Sequence, residues 1–250
     1  MMSRPLRAAL IGLSLTAVTL PAAAAEPAQM DRKAVEQIVR DYILQNPEII
    51  TEAITILQQR EEEQASQAVS QAVKANQQEL TRSPGSPVLG NPKGDVTLVE
   101  FFDYQCGYCK RAHPQRSAAV KDDGKVRVVM KEFPILGPAS VEASKAALAA
   151  AKQGKYAEMH EALITQQGPL NNDVIRDVAR KVGLDMDRLE KDMKSADVQA
   201  EIDANYKLAQ ALNIRGTPGF VVGETVVPGM IGRDAFTELF AAERAAQKGG

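Results

Sequence analysis

The chain has 250 residues, of which 44% are hydrophobic and 25% charged, with 17 Gly and 13 Pro. That balance excludes a disordered, collagenous or multispan membrane chain, and the length supports one substantial domain with an extension. Thirty Lys and Arg against 32 Asp and Glu leave a formal charge of −2, and no basic block interrupts it, which points away from a nucleic-acid partner.

Arg4 and Arg7 precede an apolar run from Ala8 to Leu20, and Ala23-Ala24-Ala25 follows with the small residues of a cleavage site. Residues 1–25 therefore read as a removable export signal, cut near Ala25, because the run is too short for the ~20 residues of a membrane span. Loss of the two arginines brings the charge of the remaining chain to −4. Export implies an oxidising compartment such as the periplasm.

Residues 26–83 hold no Gly and no Cys, with 10 acidic and 6 basic side chains. Val35, Ile38, Val39, Tyr42 and Ile43 recur at helical spacing. Asn46-Pro47 then predicts a break, with Asn46 capping a second helix. The wide aliphatic set Ile49, Ile50, Ala53, Ile54, Ile56 and Leu57 is more than an isolated helix leaves in water, so this segment predicts association of several copies. Beyond Glu61-Glu62-Glu63 the stripe thins to Ala65, Ala68, Val69, Ala72 and Val73, the pattern of an exposed helix. Ser83-Pro84-Gly85-Ser86-Pro87 reads as a linker, so residues 84–250 form the second domain.

From Val88 onward strands and helices alternate. Val96 to Phe102 reads as a buried strand, Gly107 to about Lys121 as a helix and Lys125 to Phe133 as a second strand parallel to the first. Residues 138–214 carry helical spacing only, a helical insertion. Two short strands, Gly219 to Val222 and Thr225 to Val227, then turn about Gly223-Glu224, and a helix from Arg233 to about Ala246 follows. The class is α/β.

Cys106-Gly107-Tyr108-Cys109 contains both cysteines of the chain, so they bond to each other or to a partner. A strand feeding a helix whose first turn begins at Cys106 places that sulfur at unpaired backbone N–H groups and the positive helix end, which favours thiolate. Cys106 is thus expected to be an exposed nucleophile. Cys109, one turn inward, is expected to resolve the mixed disulfide by attacking Cys106. His113, four residues on, adds a third donor, and His160 is the other histidine; a closed zinc site needs four ligands, whereas two thiolates alone suit Cu(I). Glu100 lies within the apolar strand leading to Cys106, where a lone charge is costly. It reads either as a proton acceptor for Cys109 or as the partner of Lys131 on the neighbouring strand, with His113 as an alternative base. Thr217-Pro218, ahead of the strand at Gly219, reads as a cis turn that aims the Thr217 backbone at the cysteines and lets it pair with an extended substrate.

Glu100 to Cys109, Pro114, the helical insertion and Gly216-Thr217-Pro218 occur in an order that resembles the DsbA-like oxidoreductases of the thioredoxin superfamily. The resemblance implies a thioredoxin fold with a helical insertion, attack by Cys106, a cis peptide at Pro218 and proton transfer by Glu100. It also implies that the Gly107-Tyr108 dipeptide tunes the pair, and that the redox group is the Cys106–Cys109 disulfide with no bound cofactor or resident metal. The helical extension with its Asn-Pro-Glu break is similar to suppressor-of-copper-sensitivity C proteins, some of which are trimeric isomerases. Together these imply a periplasmic disulfide isomerase, homotrimeric through residues 26–83, acting on exported proteins with cysteines and reset by a membrane redox partner. The alternatives are a monomeric DsbA-type oxidase and a Cu(I)-binding copper-tolerance protein using the same dithiol at Cys106 and Cys109.

Overall fold

The computed structural model describes residues 31–249, so the export signal and its cleavage near Ala25 lie outside the described residues. The chain divides into two compact units, the first ending at Leu57 and the second starting at Gln58. Within the first, α1 (Arg32–Gln45) begins where the Asp31 carboxylate accepts a hydrogen bond from the Lys33 N–H. Asn46 closes this helix instead of capping the next one. Its backbone N–H and its Nδ2 both donate to the Tyr42 carbonyl, satisfying an acceptor that the helix end leaves open. Pro47 follows, and α2 (Glu48–Ala75) starts directly after it. No described residue of this first unit is buried, and Ile38, Tyr42, Ile54 and Leu57 are among the large apolar side chains in solvent.

The second unit is built on a five-stranded sheet in the order β1-β3-β2-β4-β5. The strands are β1 (Val88–Gly90), β2 (Val96–Phe102), β3 (Val126–Glu132), β4 (Gly219–Val222) and β5 (Thr225–Pro228). β2 and β3 run parallel and are joined through α4 (Gly107–Asp123), while every other neighbouring pair is antiparallel. β2 is central and has only Thr97 short of burial, which is why it reads as an unbroken apolar run. α4 ends on Gly124, whose φ of 70° would strain any residue with a Cβ. The insertion consists of α5 (Pro138–Ala151), α6 (Tyr156–Ile164), α7 (Asn172–Val182), α8 (Met186–Asp192) and α9 (Ala196–Ala211). β4 and β5 turn about Gly223-Glu224, and α10 (Arg233–Gly249) follows. β1 has no counterpart in the sequence reading, since three residues are too short for an alternation to register.

The sheet is covered on both faces. Leu98, Phe102, Val128 and Met130 face α4, α10 and the insertion, in a cluster with Ala143, Ala147, Met159, Leu163 and Phe236. Val99, Phe101, Val129 and Val221 face the other way and pack with Val73, Leu80, Leu208 and Leu212. Val73 belongs to α2 and Leu80 to α3 (Gln77–Arg82), so the domain starts well before residue 84. The stripe that read as thin is wide enough to cover one face of a sheet, and the second half of the extension is core-forming. Ser83 to Pro87 is likewise no free linker: Ser86 is buried, donates to Glu201 Oε1 at 2.5 Å and accepts from Lys131 Nζ at 2.6 Å. A βαβ unit with an antiparallel hairpin, and a helical insertion between the two, is the thioredoxin fold in its DsbA-like form. Among the described residues no helix is long and apolar enough to cross a membrane.

Candidate active site

The turn between β2 and α4 is held by Asp103, which is fully buried. Its Oδ1 accepts from the Gln105 N–H at 2.7 Å and the Ser140 hydroxyl at 2.7 Å, and its Oδ2 from the Leu136 N–H at 2.9 Å. The Cys106 N–H donates to the Asp103 carbonyl. Cys106 is thereby set as the N-cap of α4, where its sulfur accepts from the Cys109 N–H at 3.3 Å.

The two sulfurs have opposite acid–base character. A hydrogen bond from the Cys109 thiol is the largest influence on Cys106; the Thr217 side chain and the Cys109 and Tyr108 N–H groups add to it and outweigh burial, bringing the thiol down to about 6. Burial, and then the neighbouring Cys106 sulfur, push Cys109 far above the ordinary thiol range. One thiol is therefore a thiolate at neutral pH and the other keeps its proton. Both are free. Cys106 is only 6% exposed, less open than its helix-start position suggests, because the Thr217 turn lies over it and the Thr217 carbonyl sits 3.2 Å from its sulfur. The Thr217–Pro218 peptide is cis, and the Pro218 carbonyl accepts from the Gly229 N–H at 2.8 Å. The turn is thus tied at the start of β4, beside β2.

Gly107 is not required by packing, since a Cβ there would meet only Arg111 Nη1 at 3.7 Å. Tyr108 is 60% exposed, with the Arg111 guanidinium 4.4 Å above its ring. The dipeptide therefore faces outward, free to vary without disturbing the core.

Glu100 is buried, and its partner is Arg116, not Lys131: Arg116 Nε donates to Oε2 at 3.0 Å. The register explains the correction. Glu100 pairs with Met130 and points to the α4 face, whereas Lys131 pairs with Phe101 and points to the opposite one. There Lys131 Nζ donates to the Ser86 hydroxyl and to the Glu79 carbonyl at 2.7 Å. His113 is buried too, and His160, which nothing in the spacing placed nearby, has its ring centre 5.6 Å away. Arg116 Nη2 donates to His113 Nδ1 at 3.2 Å and to His160 Nε2 at 3.4 Å. Among the described residues no three His, Cys, Asp or Glu side chains are grouped to hold a metal ion, so His113 does not join the cysteines as a ligand. The sulfurs remain a pair of soft donors.

Several buried polar residues escaped the sequence reading. Glu132 accepts from the hydroxyls of Tyr104, Tyr156 and Ser144 at 3.0, 2.8 and 2.7 Å, and burial pushes its carboxyl up to about 8. Arg116 had a legible signal. It falls on the buried side of α4 with Cys109, Ala112, Ala119 and Val120, a position where arginine calls for a partner.

Residues 97–241 match the DSBA-like thioredoxin domain, and residues 31–64 match the N-terminal domain of the copper resistance protein ScsC. A thioredoxin-like oxidoreductase from Silicibacter pomeroyi is 45% identical with a TM-score of 0.67, over 68% of this chain and 98% of that one. ScsC of Proteus mirabilis in a transitional conformation is 29% identical with a TM-score of 0.64, over 86% and 97% respectively. The Na(+)/H(+) antiporter NhaA 3 of Salinispora tropica is 32% identical over 137 residues, 54% of this chain and 21% of the antiporter. The chain thus spans about a fifth of the length of the curated relatives it matches. The fold, the paired cysteines at a helix start and a domain match covering more than half of the chain together place this protein in the DSBA-like thioredoxin-domain family.

Proposed function

We propose that the protein is an exported, periplasmic disulfide isomerase that acts on cysteine-containing exported proteins and assembles through its N-terminal helices, as a trimer. The opposed character of Cys106 and Cys109 carries this reading. A thiolate at Cys106 attacks a substrate disulfide: the new bond joins Cys106 to one substrate sulfur, and the other leaves with the electron pair. Thr217 binds the substrate backbone beside Cys106, and Gly107 and Tyr108 tune the exchange. Either the freed substrate thiolate then attacks a different substrate sulfur and releases Cys106, or Cys109 gives its proton to Glu100 and attacks Cys106. The latter closes the Cys106–Cys109 disulfide, the redox group of a protein that needs no further cofactor, and a membrane redox partner returns it to the dithiol.

The match of residues 31–64 to the ScsC N-terminal domain supports assembly, as do the apolar side chains that α1 and the first half of α2 leave in solvent. Several sites held in one assembly can serve one scrambled substrate. The test is reactivation of a scrambled multi-disulfide protein in glutathione buffer, by the mature chain and by one lacking residues 31–57. That cut spares Val73 and Leu80, which are core residues. Recovery that needs the segment supports the oligomeric isomerase; no recovery, with rapid oxidation of a reduced substrate, supports a monomeric oxidase. The same two sulfurs, together with the ScsC match, also favour Cu(I) binding as a second reading, tested by retention of one Cu(I) per chain against a competing chelator.

A further inference from the structure

We propose that Arg116 is a positioning residue for the exchange reaction, fixing the Glu100 carboxylate where it takes the proton of Cys109; this rests on the reading of Glu100 as proton acceptor. Glu100 is on β2, on the face that packs with Cys109, and its charge contributes to the resistance of the Cys109 thiol to ionisation. It is 2% exposed and Arg116 4% exposed, so each is the other's charge partner within the core. A carboxylate at that depth without a cation takes up a proton and can no longer accept one.

The surroundings of the guanidinium are built for orientation. Arginine has no acceptor, so His113 Nδ1 and His160 Nε2 must both be the bare nitrogens of neutral rings. The remaining ring protons then have partners: His113 Nε2–H donates to Glu161 Oε2 at 2.9 Å, and His160 Nδ1–H donates to the Tyr104 oxygen at 3.2 Å. The Tyr104 hydroxyl in turn donates to Glu132. Both imidazoles are held below the ordinary histidine range, by burial first and by the Arg116 charge second. The groups facing His113 are Arg116 on its own helix, Glu161 and His160 on α6, and Glu100 on β2. Two neutral rings on one guanidinium leave its Nε a single direction, toward Glu100. Arg116 also borders an open cleft of about 610 Å³ with Asn91, Ser117 and Lys121, which brings water within one side chain of the pair.

In the proton step the Cys109 S–H bond breaks and Glu100 takes the proton. The Cys109 thiolate attacks Cys106, the Cys106–Cys109 bond forms, and the departing sulfur keeps the electron pair of the broken disulfide. Stopped-flow reaction of the full reduced chain with dithiobis(nitrobenzoate) separates the stages. Attack by Cys106 releases the first thionitrobenzoate, and attack by Cys109 releases the second. Glu100→Gln and Arg116→Met are each expected to slow the second release by about tenfold or more and to leave the first unchanged. Their double variant should be no slower than either alone, and Arg116→Lys, which keeps a cation in the core, should recover part of the rate. In the slowed variants the second release should rise about tenfold per pH unit, as hydroxide replaces the internal base. A wild-type second release in Arg116→Met, with Glu100→Gln slowed, overturns the role of Arg116 and leaves that of Glu100 standing. No effect of Glu100→Gln overturns the reading of Glu100 and this inference with it. Slowing of both releases in Arg116→Met and Arg116→Lys alike assigns Arg116 to the fold only.

Discussion

The two faces of the central sheet each bury a charged network, and they put it to different use. On the α4 face Glu100, Arg116, both histidines and Glu132 lie behind the cysteines, linked from guanidinium to imidazole to phenol. On the opposite face Lys131 joins Ser86, the Glu79 carbonyl and, at 3.9 Å, Glu201. The residues alternate along the same two strands, so a shift of one position separates side chains that share a face with the cysteines from side chains that hold the Ser86 segment. Burial of a charge is therefore not by itself a sign of function; what matters is whether a reacting atom shares the face.

The largest effects belong to the sulfur side. Cys106→Ala should abolish exchange and form no mixed disulfides, while Cys109→Ala should accumulate them, as read on non-reducing gels; accumulation with Cys106→Ala would reverse the roles of the two sulfurs. Lys131→Met tests the other side. Loss of the cation strands Glu201, and urea unfolding should show a loss of about 3 kcal/mol, with thiol reactivity at Cys106 unchanged. A change in that reactivity would break the separation of the two faces.

The next effect is in pH. With the Cys106 thiol at about 6, its alkylation should gain about tenfold from pH 5 to pH 7. The folded value lies below the unfolded one, near 9, so the folded dithiol binds fewer protons across that window. The Cys106 contribution to stability should therefore rise with pH from about 6 to 9, by at most about 1.4 kcal/mol per unit. Because Glu132, held up at about 8, contributes in the opposite sense below that pH, it is read as the difference in urea stability between the wild-type chain and Cys106→Ala. A difference between the two that stays flat from about pH 6 to 9 would refute it. The smallest effect is at the rim of the anchoring side, where Lys74 and Glu224 pair in solvent at 2.9 Å. Lys74→Ala should shift the same urea transition by no more than about 0.5 kcal/mol.

Much of the fold is legible in the residues because its signals are local. Val96 to Phe102 is apolar on both faces, and the insertion carries uninterrupted helical spacing, so the central strand and the helices of residues 138–211 fall near their expected places. The start of the domain is not legible. Val73 looks like the last remnant of a fading stripe until the sheet it covers is known. The cysteines are legible from their spacing, whereas the partner of Glu100 is not: strand register decides between Arg116 and Lys131, and register is a property of the assembled sheet. Glu132 on β3 and His160 on α6 are joined through Tyr104 for the same reason, across elements distant in the chain.

The segment Ser83-Pro84-Gly85-Ser86-Pro87 has the composition at which proteases usually nick a folded protein. Here Ser86 is bound from both sides, and a Cβ at Gly85 would run into the Glu201 carboxylate, so the backbone runs tightly against α9. A protease must draw a stretch of chain into its cleft, and that would tear Lys131 from its contacts. The stretch that looks most vulnerable is therefore anchored at Ser86, and limited digestion of the folded chain should spare it longer than its composition suggests.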